Sequence, residues 1–113
     1  MMPTSRVVGF LAMGVVSAAV AAGPSDEGKA VYETACITCH GANGKGVLPG
    51  VPDFTKQGGV LAKPDDVLLK HVTDGFQSPG SAMPMPPKGG DPSLTEYQLR
   101  AVIRYLRQRF GGQ

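Results

Sequence analysis

The run Cys36-Ile37-Thr38-Cys39-His40 constrains this chain more than any other feature. Its cysteine spacing sets both thiols on one side of a helical turn, with an imidazole directly behind them. Thiols so placed can bond the two vinyl groups of one haem, and His40 then reaches the iron. A neutral imidazole binds metal through one ring nitrogen, and the other needs an acceptor that fixes the ring. A carbonyl of the following loop would serve, and Pro52 is the expected residue. A chain built around such a group needs walls for a large flat cofactor rather than a self-sufficient core.

Other uses of paired cysteines fit less well. A thioredoxin-like redox pair follows a strand, and no run here alternates with a two-residue period. A four-coordinate zinc site needs two further Cys or His ligands, and only His71 remains. A disulfide from Cys36 to Cys39 would close too short a loop to restrict the unfolded chain much. A domain this small profits far more from a buried cofactor.

The compartment is read from the N-terminus. Arg6 precedes an uncharged run of 16 residues from Val7 to Ala22 that ends in small side chains. This order of positive, apolar and small residues is that of a secretory signal peptide, and the run is shorter than the ~20 residues of a spanning helix. The expected organisation is a signal peptide at residues 1–22 and one domain at 23–113, exported to the periplasm and not membrane-spanning.

Without Arg6 the net charge falls from +2 to about +1, which gives a nucleic acid no basic stripe to bind. Arg100, Arg104, Arg107 and Arg109 cluster, but they sit near the end of a predicted helix, where cations complement its dipole.

Three helices are expected, with long loops between them. Ser25 offers an N-cap to a helix over about Asp26 to Thr38 that carries Asp26 and Glu27 in its first turn. Glycines and prolines from Gly41 to Gly59 exclude regular structure. Pro64 opens a short helix with Val67, Leu68, His71 and Val72 at helical spacing, stopped by Gly75. The stretch from Phe76 to Pro92 is again too rich in breakers for regular structure. Ser93-Leu94-Thr95-Glu96 has the form of a capping box, and Leu99, Val102, Ile103, Leu106 and Phe110 then mark the face of a last helix before Gly111. The fold class is all-α, with helices and loops wrapped around one group.

A second axial ligand must come from Met or His. Met83 and Met85 stand between prolines in a loop, a setting that helix-core packing does not explain. His71, on the apolar face of the short helix, is the rival, and an open site is the remaining option.

With these residues in view, the chain resembles a class I c-type cytochrome, a small bacterial monohaem cytochrome c of the c5 or c-551/c8 kind. The resemblance rests on Gly28 and Tyr32, the Cys36-x-x-Cys39-His40-Gly41 run, Pro52-Asp53-Phe54, Met85-Pro86-Pro87 and the aromatic-bearing last helix. It implies the cytochrome c fold, with Gly28 letting the first helix cross the last closely and Tyr32 packing near Leu99, Tyr105 or Leu106. It implies that a proline carbonyl faces His40, which suits Pro52 and almost equally Pro49. The match to Met-Pro-Pro selects Met85 over Met83 as distal ligand. The run from Met85 to Gly90 is similar to the c5 group, although the extra cysteine pair of many c5 proteins is absent.

The function expected is that of a monomeric periplasmic electron carrier, not an enzyme, with one covalent haem c cycling between Fe(II) and Fe(III). Its partners would be respiratory or dehydrogenase redox proteins, bound transiently near the thioether edge of the haem. Lys45, Lys56, Lys63 and Lys88 stand in the loops that would border that face. Two alternatives are a cytochrome subunit of a larger complex (an oxidase, a sulfur-oxidising complex or an alcohol dehydrogenase) and a haem-based sensor with a displaceable methionine.

Overall fold

The computed structural model describes residues 2–5, 7–15 and 24–111. The expected end of the leader, near residue 22, and the start of the domain at residue 23 lie outside the described residues. Residues 2–5 and 7–15 form neither helix nor strand, and Val7, Phe10 and Leu11 are exposed. No described helix is long and apolar enough to cross a membrane.

The first helical arm has three parts: α1 at Pro24–Val31, a π-helical turn at Tyr32–Cys36, and α2 at Ile37–His40. It starts earlier than expected, because Pro24 already has the fixed φ and the missing N–H that suit a first helical turn. Ser25 therefore lies inside the helix and is not its N-cap. The arm also runs on past Thr38 to His40, ending where Gly41 takes φ 83°. The π-helical turn widens the coil just ahead of the second cysteine and so changes the angular register of Cys39 and His40. Val31 and Tyr32 are buried in the core, while Cys36, Cys39 and His40 border a cavity.

The remaining helices are α3 at Asp65–Asp74, bounded by Pro64 and Gly75, and α4 at Glu96–Phe110. The capping box of α4 is not the one expected. Thr95 is the N-cap, accepting from the Gln98 backbone N–H at 3.2 Å, while Gln98 Oε1 accepts from the Thr95 N–H at 3.0 Å. Ser93 is diverted because its hydroxyl and its N–H both donate to Asp91 Oδ1, at 2.6 and 3.0 Å. Leu94 before the cap and Leu99 in the next turn are both buried, as in a hydrophobic staple.

α1 crosses α4 at Gly28. A Cβ there would stand 2.2 Å from the Ala101 carbonyl oxygen and 2.8 Å from Tyr105 Cβ, so only glycine permits this approach. Tyr32 then meets Tyr105 at 5.7 Å and Phe110 at 5.8 Å between ring centroids. Gln98 Nε2 also ties the pair by donating to Glu27 at 3.0 Å. The Gly28 and Tyr32 contacts expected from the resemblance are thus present.

Arg107 does more than complement a helix dipole. Its guanidinium donates to the Leu61 carbonyl at 2.5 Å, the Lys63 carbonyl at 2.9 Å and Asp65 Oδ1 at 2.6 Å, fastening the turn before α3 to α4. The breaker-rich stretches hold 3₁₀ turns at Val60–Ala62 and Pro87–Gly90 and one isolated antiparallel bridge between Phe76 and Met85. Among the described residues there is no longer strand, so the fold is all-α.

Candidate functional site

Helix α2 delivers the cysteine motif, and the loop behind it is folded back by hydrogen bonds onto the last residues of that helix. Gly46 N–H donates to the His40 carbonyl and Val47 N–H to the Cys39 carbonyl, both at 2.9 Å. The Tyr32 hydroxyl donates to the Gly41 carbonyl, so the first helical arm grips the end of the motif from its core side. Burial pushes the Tyr32 phenol up to about 12, with nearby Cys36 adding to the effect, and it remains a donor throughout the physiological range.

Cys36, Cys39 and His40 line one cavity of about 180 Å³. That exceeds the ~150 Å³ of an engineered apolar cavity able to admit benzene. Its other walls come from the loop around Pro49 to Phe54, from α3, from the segment Phe76 to Met85 and from Val102, Ile103 and Leu106 of α4. The expected distal candidates Met85, Met83 and His71 all reach it, so the fold brings together every proposed ligand.

They are held differently. Met85 is pinned at both backbone groups: its N–H donates to the Phe76 carbonyl at 2.7 Å and its carbonyl accepts from the Phe76 N–H at 3.1 Å. Met83 is 64% exposed, against partial burial for Met85. His71 stacks on Phe76 at 4.0 Å between ring centroids, and Lys63 lies over the same ring at 5.4 Å. Phe76 was not singled out by the sequence, because one aromatic after a helix-ending glycine carries no periodic signal.

His40 is buried and stacks on Phe54 at 4.5 Å with an interplanar angle of 16°. Burial lowers its pKa to about 4, so it is a neutral imidazole at neutral pH, the form that binds metal. Its Nδ1 is buried without a hydrogen-bond partner. Pro52, whose carbonyl is the expected acceptor for the ring, lines the same cavity as His40. The Phe54 stack sets the plane of the ring. The loop bonds that position Pro52 are those of its neighbours: Phe54 N–H donates to the Gly44 carbonyl and Val51 N–H to the Leu48 carbonyl.

The surroundings of Cys36 do not favour its thiolate. Burial, and then the neighbouring Cys39, push the Cys36 thiol up to about 11, the reverse of the depressed value of nucleophilic cysteines. No cluster of three or more His, Cys, Asp or Glu among the described residues could hold a bare metal ion. An apolar cleft with paired thiols at one edge and a buried imidazole of unmet bonding capacity instead fits a flat, apolar, iron-bearing macrocycle.

The family model for cytochrome c matches residues 25–109. The chain belongs to the cytochrome c family. Among its relatives, cytochrome c-555 of Chlorobaculum thiosulfatiphilum is 33% identical over 79 residues, covering 70% of this chain and 88% of that protein. Cytochrome c-555 of Prosthecochloris aestuarii is 31% identical over 81 residues, 70% of this chain and 81% of its own. The cbb3-type cytochrome c oxidase subunit CcoP of Rhodobacter capsulatus is 33% identical over 99 residues, 80% of this chain but only 32% of that longer protein.

A cytochrome c is an electron carrier rather than an enzyme, and membership of the family implies covalently bound haem c. In this cytochrome c the site residues suit that cofactor on their own chemistry. The paired thiols, the neutral buried imidazole and the thioethers of Met83 and Met85 are soft or borderline donors gathered at one apolar cavity.

Proposed function

We propose that this cytochrome c is a monomeric periplasmic carrier that holds one haem through Cys36 and Cys39, with His40 and Met85 on the iron. The observation that carries the reading is the gathering at one apolar cavity of the motif and of a methionine anchored at both backbone groups. The iron, when bound, supplies a one-electron change between Fe(II) and Fe(III). The chain's own residues set the conditions for it. The largely apolar lining disfavours water, the Phe54 stack holds His40 in one plane, and the Phe76 bridge ties the Met85 backbone. Small reorganisation is the consequence expected of such fixed donors.

Transient redox partners would meet the cavity where Leu48 and Met83, which line it, are exposed. Among the described residues Lys45, Lys56 and Lys88 form no close ion pair, although Lys45 and Lys56 lie near enough to Asp53, and Lys88 to Asp91, to lower those carboxyls. An acidic partner surface suits this distribution, and electron-transfer rates should then fall steeply with ionic strength; a flat profile would remove the lysines from the docking role. The N-terminal run supports export, which fractionation of the periplasm tests.

The deciding experiment is optical. After denaturing electrophoresis confirms retained haem, the ferric protein should show a Met-to-iron charge-transfer band that Met85→Ala abolishes and Met83→Ala keeps. The reverse pattern would transfer the role to Met83. A second reading, a subunit of an oxidase, is favoured by the similarity to CcoP, of which this chain spans about a third. Co-purification with a larger complex at native expression would establish it over the free carrier.

A further inference from the structure

Two loops that line the cavity come together at a bare point of backbone. Gly50, in the loop behind the cysteine motif, has φ +85°, and a Cβ there would lie 2.6 Å from Ser81 Cα, 2.7 Å from its Cβ and 2.9 Å from its Oγ. Ser81 belongs to the loop that carries both methionines. Its hydroxyl donates to the Met83 carbonyl at 2.8 Å, and its own N–H is tied to the Ser78 carbonyl at 3.0 Å. Gly50, Ser81, Met83 and Met85 all line the cavity. The segment from Ser81 to Met85 is therefore held at two places: the Phe76 bridge at one end and the Gly50 contact at the other.

We propose that Gly50 is a positioning residue for the sixth ligand, its missing side chain setting how closely the methionine-bearing loop seats over the cavity. The inference rests on Met85 as that ligand. Any side chain at position 50 meets Ser81 backbone, which cannot swing aside as the tip of a side chain can. Restoring ordinary contact at 3.4 Å needs the loops to part by roughly 1 Å, and the displacement falls on the three residues between Ser81 and the anchored Met85.

The test compares holoprotein variants. Gly50→Ala adds the wedge, and Gly58→Ala is its control, because Gly58 has a similar φ of +69° with nothing within 4 Å of its Cβ position. Both variants carry the left-handed backbone penalty, and only the first touches the methionine loop. In Gly50→Ala the Met-to-iron band should weaken and added imidazole should bind the ferric protein on the order of tenfold more tightly, the scale expected when overpacking is transmitted to one bond. Gly58→Ala should leave band and imidazole affinity at wild-type values.

Equal values for Gly50→Ala and Gly58→Ala overturn the proposal. Should Gly50→Ala fail to retain haem, Ser81→Thr keeps the hydroxyl and adds a methyl to the other side of the contact. It should shift band and imidazole affinity in the same direction, and unchanged values there count equally against the idea. Met85→Ala keeps the two readings apart: a band that survives it refutes Met85 as ligand, whatever position 50 does.

Discussion

Replacing Gly28 by alanine opposes two effects of known size. In an isolated helix the change would stabilise by about 1 kcal/mol, since alanine is the better helix former. Here the new methyl would stand 2.2 Å from the Ala101 carbonyl oxygen, 2.7 Å from its carbon and 2.8 Å from Tyr105 Cβ. Two of those three atoms are backbone of α4, so relief requires the helices to separate by about 1 Å. A gap of that size forfeits a quarter to a half of each dispersion contact across it. The contacts at stake include Tyr32 with Tyr105 and the neighbouring buried Leu99 and Val102. Overpacking of this kind costs about 1–3 kcal/mol and sometimes more, and because the clash is with a carbonyl the upper end applies. Net of the helix gain, Gly28→Ala should destabilise the holoprotein by about 2 kcal/mol. For a domain of this size that lowers Tm by roughly 8–16 °C. Guanidinium unfolding of the ferric protein measures it. Adding Ala101→Gly should give no rescue, because the obstructing atoms are not in the Ala101 side chain. A Gly28→Ala protein as stable as wild type, or a rescued double variant, would refute the close-crossing account.

Three further outcomes are expected from hydrogen bonds in the same structure. Tyr32→Phe removes the donor to the Gly41 carbonyl, which still accepts from Gly44 N–H at 3.2 Å, so equilibrium unfolding should register a loss of only about 1 kcal/mol. Arg107→Ala should cost about 2 kcal/mol, most of it from the Leu61 and Lys63 carbonyls, while Asp65→Asn costs under about 1 kcal/mol; equal losses in denaturant melts would show that the exposed ion pair dominates instead. The Asp53 carboxyl is held below its ordinary value by the hydroxyl and then the N–H of Thr55, so its contribution exists above that ordinary value and is lost as pH falls through the folded one. In Thr55→Ala the Asp53 titration, followed by carboxyl NMR, should move to higher pH, and no movement would show that the hydroxyl bond is unimportant.

What the amino-acid order determined by itself is local. The spacing of Cys36, Cys39 and His40 lies within one or two helical turns, so covalent geometry alone announces a haem-binding motif. The face of α4 from Leu99 to Phe110 and the limits of α3 at Pro64 and Gly75 likewise follow from helical period and from two residues with restricted or unusual backbones. Caps were less legible, because Ser93 and Thr95 offer the same hydroxyl and only the competing Asp91 carboxylate decides between them. The π-helical turn at Tyr32–Cys36 has no sequence signature of its own. Tertiary structure alone decided that Phe76 clamps Met85, that Phe54 stacks on His40, and that Arg107 fastens the turn before α3. It alone set Gly50 against Ser81. These are contacts between segments far apart in the chain, whose strength depends on distances that no local pattern encodes. The motif names the chemistry, and the packing of two breaker-rich loops determines how tightly it is held.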